Sequence, residues 1–227
     1  MKIRIKFSKY GALKFIGHLD VMRYFQKVMR RAEIDIAYSE GYSPHQIMSF
    51  ASPLGVGLCS NGEYLDIEVH SVTSSKQMME DMNRASVDGI TIVGVWKLPE
   101  EAQNAMSSVK GADYTVSFRE GQEPACDLKG IITEFLSQQE ISVVKETKKS
   151  TRELDIKPFI HQMELQEDGS VFMRLTAGSA DNIKPELVMD ALTQFANVPL
   201  SEFALMITRE DLYGENFVPL SAAGELF

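Results

Sequence analysis

The chain is poor in cysteine: only Cys59 and Cys126 occur in 227 residues, far apart. That excludes a disulfide framework and a sequence-local metal cluster. It also excludes S-adenosylmethionine radical chemistry by the chain itself, which needs three closely spaced thiolates for an iron–sulfur cluster. The four histidines, His18, His45, His70 and His161, are scattered and give no zinc-ligand spacing. No uninterrupted apolar run approaches the roughly 18 residues of a membrane span. Charges at Lys2, Arg4 and Lys6 leave no apolar core for a signal peptide. Phosphate-binding loops, dinucleotide fingerprints and nucleophile elbows are also missing. A cytoplasmic protein is expected, without membrane contact, metal or resident cofactor. Positive charge is in deficit, with 23 Lys and Arg against 32 Asp and Glu and a net charge of −9.

What is present is an ordinary globular balance, 44% hydrophobic and 24% charged, too apolar for a globally disordered chain. The charge is uneven. Residues 1–50 hold nine basic side chains against four acidic ones, a local +5, so the other 177 residues carry −14. A basic quarter on an acidic body points to an anionic partner, or to pairing between the two within one fold.

Lys2 to Phe7 alternates strictly, with Ile3, Ile5 and Phe7 on one face and Lys2, Arg4 and Lys6 on the other, the period of a half-buried strand. A helix is expected from about Leu19 to Glu33. Its apolar stripe is Val21, Met22, Phe25, Val28, Met29 and Ala32, and Arg23, Lys27, Arg30 and Arg31 share the opposite side. Tyr38 to Pro53 is rich in turn formers, and Gly55, Gly57 and Gly62 continue the loop character. The apolar segment Ile47–Phe50, a strand at Tyr64–His70, a helix near Ser74–Ala85 and a strand at Ile90–Leu98 complete the strand, helix, strand, strand, helix, strand order of a split βαβ fold, a four-stranded sheet with two helices on one face.

Residues 99–111 have linker composition. Beyond them the elements repeat. Strands are expected at Ala112–Arg119 and Ile141–Thr147, and a hairpin at Ile160–Leu165 and Val171–Leu175 turns at Asp168-Gly169. Helices fall at Leu128–Gln139 and, opened by Lys184-Pro185, at Pro185–Ala196, with a last strand at Phe203–Arg209. The fold expected is α+β, two ferredoxin-like (split βαβ) domains in tandem. Their bounds are 1–98 and 112–213, with a linker at 99–111 and a flexible tail at 214–227.

His18 and Asp20 form the most enzyme-like pair, an imidazole and a carboxylate at a helix start. Helix capping explains them more simply, because a carboxylate in the first turn is favoured by the helix dipole. The loop from Tyr38 to His45 is richer. Tyr42 and His45 offer stacking faces beside the Ser39 and Ser43 hydroxyls, with Arg30 and Arg31 close in sequence. Aromatics interleaved with basic groups supply the stacking and phosphate neutralisation that single-stranded RNA requires. The strand cations Lys2, Arg4 and Lys6 have candidate partners in Asp66 and Glu68, whereas the helix stripe has none. Arg152, Asp155 and Lys157 read as a surface charge cluster.

Several runs carry a family resemblance: Phe7-x-Lys9-x-Gly11, FIGHLD from Phe15 to Asp20, RRA from Arg30, YSEGYSPH from Tyr38, SFASPLGVG from Ser49, GEYLDIE from Gly62 and RELDIKPFI from Arg152. Together they resemble the radical-SAM-associated protein family built on domain of unknown function 2344. Tyr42 and Ser43 stand where that pattern has Phe and Asn, and His45 where Arg is common. The resemblance implies a radical-SAM partner, one with a cobalamin-binding domain in some members, and a setting that leans toward RNA. Lys9, Arg23, Lys27, Arg30, Arg31, Ser39, Tyr42 and His45 are the expected substrate-binding residues. A looser likeness to tRNA pseudouridine synthases lacks the catalytic aspartate, since SEGYSPH contains no Asp. Three functions follow: an accessory protein that holds RNA or another anion for its partner, an RNA-acting enzyme, or a structural adaptor.

Overall fold

The alternation at the N-terminus becomes strand β1 (Lys2–Lys9), whose side chains Ile3, Ile5 and Phe7 are buried. Helix α1 (His18–Arg31) lays Val21, Phe25, Val28 and Met29 into the same core. Strands β2 (Met48–Phe50) and β3 (Cys59–Glu68), helix α2 (Ser75–Ala85) and strand β4 (Ile90–Lys97) complete it, adding Leu65, Ile67, Met78, Met82, Ile92 and Val95. The strands run β4-β1-β3, with β2 pairing with β3, all antiparallel. Ile3 faces Ile67 and Ile5 faces Leu65 across the ladder. Phe7, Phe25 and Phe50 meet with centroids 4.6 to 6.2 Å apart, each aromatic pair adding about 0.5–1.5 kcal/mol beyond burial. The computed structural model describes residues 1–146, 151–198 and 200–227.

The basic face of β1 is covered. Arg4 is 1% exposed and pairs with both oxygens of Asp66, at 2.8 and 2.9 Å, while its Nη1 donates to the Leu220 carbonyl at 2.9 Å. Lys6 reaches Asp211 at 2.6 Å, and Lys2 donates to the Glu100 carbonyl at 2.7 Å. Of the partners expected for these cations, Asp66 takes Arg4, and the other two find theirs elsewhere. The cover includes the short helix α3 (Ala105–Ser108), whose first amide, Ala105 N, donates to Asp66 Oδ2 at 2.7 Å.

The chain divides into two compact units, Met1–Gly111 with Arg209–Phe227, and Ala112–Thr208. This departs from the expected boundaries at both ends. Residues 99–111 lie within the first unit, where Ala105 and Val109 are buried and Lys110 N donates to the Tyr213 carbonyl at 2.8 Å. The segment 214–227 is not a free tail. Leu220 is buried, Glu225 exchanges backbone bonds with Lys97, and Ser75 N donates to the Phe227 carbonyl at 2.9 Å. Short 3-10 turns at Glu215–Phe217 and Leu220–Ala223 carry no periodicity that a sequence pattern displays.

The second unit uses β5 (Gly111–Phe118), α4 (Leu128–Ser137), β6 (Ser142–Glu146), β7 (Thr151–Asp155), β8 (Ile160–Leu165), β9 (Val171–Thr176), α5 (Pro185–Phe195) and β10 (Leu205–Tyr213). Its strand order is β10-β5-β9-β8, and the residues of β10 from Arg209 onward belong to the first unit. The strand expected at Ile141–Thr147 pairs instead with β7 in a separate two-stranded ladder, Ser142 opposite Asp155. Thr147 itself lies outside the described residues, as do Ser150 and the side chain of Arg152. Asp155 accepts from the backbone of Ile141 and Lys157, and the Lys157 ammonium donates to the Gln138 carbonyl. The Asp168-Gly169 turn forms as expected, with Asp168 Oδ1 accepting from Ser170 N at 2.9 Å and Gly169 at φ +82°. Arg174 grips Asp113 through two bonds of 2.8 Å. Both units are α+β. Among the described residues no helix is long and apolar enough to cross a membrane.

Candidate functional site

Helix α1 presents Arg23, Lys27, Arg30 and Arg31 to solvent, as its 3.6-residue period requires. Arg30 and Arg31 lie in the last turn, where cations also complement the helix dipole. Arg23 is bonded to Asp20 at 3.1 Å, and both side chains are largely exposed, so the pair stabilises little. Among the described residues no ion pair joins Lys27, Arg30 or Arg31 to a carboxylate.

After α1 the chain turns through Glu33, at φ +54°, and docks Ala37 against the end of β3, Ala37 N donating to the Glu68 carbonyl at 2.7 Å. A bridge between Tyr38 and Gln46 then closes the loop. Within it Ser39 N donates to the His45 carbonyl at 2.8 Å and His45 N to Ser39 Oγ at 3.1 Å. Ser39 Oγ also lies 2.8 Å from His45 Nδ1, which fixes the imidazole. Gly41, at φ +109°, makes the turn that a side chain would strain. Tyr42 stands fully exposed at the tip.

Helix and loop together enclose a cleft of about 200 Å³, lined by Gln26, Arg30, Tyr38, Pro44, His45 and Gln46. Arg30 and His45 are thus brought to one place, with Ser39 behind His45. Arg23, Lys27, Arg31 and Tyr42 stay on the surface outside the lining. Gln26 and Gln46 were not singled out by the sequence reading. Gln26 was legible, lying one helical turn before Arg30 on the same face. Gln46 is 6% exposed, and its Nε2 makes two long bonds of 3.4 Å, to the Gln26 carbonyl and the Tyr38 hydroxyl. Its Oε1 is buried without a partner.

Lys9 stands elsewhere. It continues the inward alternation of Ile3, Ile5 and Phe7 and is buried, with Nζ 3.5 Å from the Lys14 carbonyl. Nearby, Glu63 is held through both oxygens by Arg209, at 2.7 and 2.5 Å. Burial holds the Lys9 ammonium below its ordinary pKa of 10.5; Glu63 and Cys59 act the other way, and the Arg209 charge adds to the lowering. Lys9, His18, Glu63 and Ser52 share a small recess of about 20 Å³ with the apolar walls Phe7, Val21, Phe50 and Leu54. That space admits one water or one ligand oxygen. His18, the first residue of α1, packs edge-on to Phe50 at 5.2 Å. Among the described residues no hydrogen bond links it to Asp20. Gly62 is required nearby, since a Cβ there would sit 2.6 Å from the Glu210 carbonyl oxygen. Among the described residues no group of three or more His, Cys, Asp or Glu could hold a metal ion.

The fold and the cleft define an α+β protein with an exposed basic helix joined to a polar, aromatic-edged loop. The chain belongs to the family described as "Uncharacterized protein conserved in bacteria (DUF2344)", whose model matches residues 2–185. No curated protein matches it. Among solved structures it is similar to a chain of the one described as "Crystal Structure of a Cbf5-Nop10-Gar1 Complex", at 13% identity and a TM-score of 0.44. That likeness covers 94% of this chain and 50% of the other, so the chain spans half the length of that relative.

Proposed function

We propose that this protein is a non-catalytic accessory factor that holds RNA, or another anionic substrate, for a radical-SAM partner in the cytoplasm. The observation that carries the RNA part is the cleft in which Arg30 and His45 meet, with Lys27 and Arg31 exposed on the same helix and, among the described residues, without a carboxylate partner. Cations without internal partners are free to neutralise phosphate, and Tyr38 and Tyr42 offer stacking faces beside them. The partner rests on the resemblance carried by FIGHLD, YSEGYSPH, SFASPLGVG and RELDIKPFI, and that resemblance extends to a cobalamin-binding radical-SAM protein. Both units are read as split βαβ variants, the second with a β6–β7 insertion. Alternating strand orders, β4-β1-β3 with β2 and β10-β5-β9-β8, support that reading.

The test is binding of bulk tRNA and ribosomal RNA at low and physiological salt. Wild-type binding that is lost in a Lys27→Glu, Arg30→Glu, Arg31→Glu triple variant is the expected result. Binding unchanged by the triple reversal overturns the assignment of this face, and no RNA binding at all leaves the adaptor reading, to be pursued by capture of the partner.

A second reading, an RNA-acting enzyme with His18 near its centre, is favoured by the recess that His18 shares with Lys9 and Glu63. In that case His18→Ala abolishes turnover of RNA while leaving RNA binding intact.

A further inference from the structure

The orphaned oxygen of Gln46 is the most unusual polar atom in the cleft. A buried acceptor without a donor bears its full desolvation penalty, and native folds leave few such atoms without a reason. The amide that carries it is held by two bonds of 3.4 Å, at the long limit of hydrogen bonding, so a small rotation toward the cleft breaks little. The rotation would present a carbonyl acceptor to an occupant. The rest of the lining suits a flat one. Among the lining residues Tyr38, 49% exposed, brings an aromatic ring, Pro44 an apolar ring, and Arg30 a guanidinium suited to an adjoining phosphate. A cleft of about 200 Å³ has room for a single ring system and not for a duplex.

Resting on the RNA reading above, we propose that this cleft reads one unpaired base and selects adenine or cytosine over uracil through Gln46. The exocyclic amino group of adenine or cytosine projects beyond the ring edge and can donate to a recessed carbonyl. Uracil has no amino group. Its N3–H is set between two carbonyl oxygens and does not project beyond the ring edge, so it reaches a recessed carbonyl less readily than an amino group does. Base edges are accessible in single strands, loops and bulges, so the substrate class is unpaired RNA rather than helical RNA. Lys27 and Arg31, outside the cleft, contribute affinity without base preference.

The experiment measures binding of fluorescently labelled twelve-residue oligomers of adenosine, cytidine and uridine to the full chain at one fixed salt concentration. The expected result is binding of the adenosine and cytidine oligomers about five- to tenfold tighter than uridine, the worth of one net hydrogen bond. Gln46→Leu should bring all three to the uridine value, and Gln46→Glu, which keeps an acceptor, should retain part of the preference. An oligomer of purine riboside, which lacks only the amino group of adenosine, tests the same contact on the unaltered protein and should bind as weakly as uridine. Equal affinities for all oligomers, or a preference that survives both Gln46→Leu and loss of the amino group, overturns base selection while leaving RNA binding standing. Absence of binding to every oligomer and to bulk RNA overturns the underlying reading as well.

Discussion

Arg4 and Asp66, 62 positions apart, form a buried two-bond ion pair, and the same carboxylate accepts the Ala105 amide that begins α3. The pair therefore links the central strands of the first unit to the segment that covers them. Removing one member of a buried pair strands the other charge, at a cost of about 3–5 kcal/mol. Arg4→Met should lower the urea midpoint of unfolding accordingly. Arg4→Met combined with Asp66→Asn should recover part of the loss, because the carboxylate charge is gone and an amide oxygen remains for Ala105.

Lys9 gives a pH signature. Its ammonium is disfavoured in the folded chain, chiefly by burial, so its folded pKa lies below the ordinary value of 10.5. Between the two values the unfolded chain holds the proton and the folded chain does not, so stability rises with pH across that window. Urea unfolding of wild type and Lys9→Met from pH 7.5 to 10 should show the wild type gaining stability relative to the variant as pH rises. A pH-independent difference between the two would refute this account of Lys9.

The C-terminal segment is a structural part of the first unit. A chain ending at Pro219 loses the buried Leu220 side chain, the Arg4 bond to the Leu220 carbonyl and the Lys97–Glu225 pairing. Burial of one such leucine is worth about 1.5–3 kcal/mol. Calorimetry should show a lower melting temperature for the truncated chain, whereas an unchanged value would mean that the segment contributes nothing to the fold.

Salt dependence separates phosphate contacts from other binding. For single-stranded nucleic acid the slope of log affinity against log salt is about −0.7 per phosphate neutralised. If Lys27, Arg30 and Arg31 each contact a phosphate, neutralising all three as glutamines should flatten the slope by about 2. Weaker binding with an unchanged slope would show that these side chains do not contact phosphate.

Much of the architecture was legible. The two-residue period of Lys2–Phe7 and the helical stripe of Val21, Phe25, Val28 and Met29 each put a continuous apolar face into one core, and the Asp168-Gly169 turn formed where its chemistry placed it. Lys9, expected to bind substrate, shares the parity of Ile3, Ile5 and Phe7 and is buried with them. Other features had no local signal. Strand β7, in a polar charged stretch, is defined by its partner β6, and the segment 214–227 is ordered by backbone bonds to Lys97 and Ser75. Of the candidate site, the exposed cations of α1 were readable from spacing, and the cleft was not, because it needs Gln46 to return to Gln26, twenty positions earlier in the chain.

By itself the sequence determined which side chains share one face of a strand or helix, because strand and helix periods are local properties of the backbone; it did not determine which faces are covered, as the buried Arg4 and Lys9 show. The tertiary structure decided which charges meet. Arg4 with Asp66, Lys6 with Asp211, Arg209 with Glu63, and Arg30 with His45 in one cleft all depend on strand order, register and the return of the chain's last residues. Those are long-range relations. A cation reads the same in sequence whether a carboxylate will be folded against it or it will be left to bind an anion from solution.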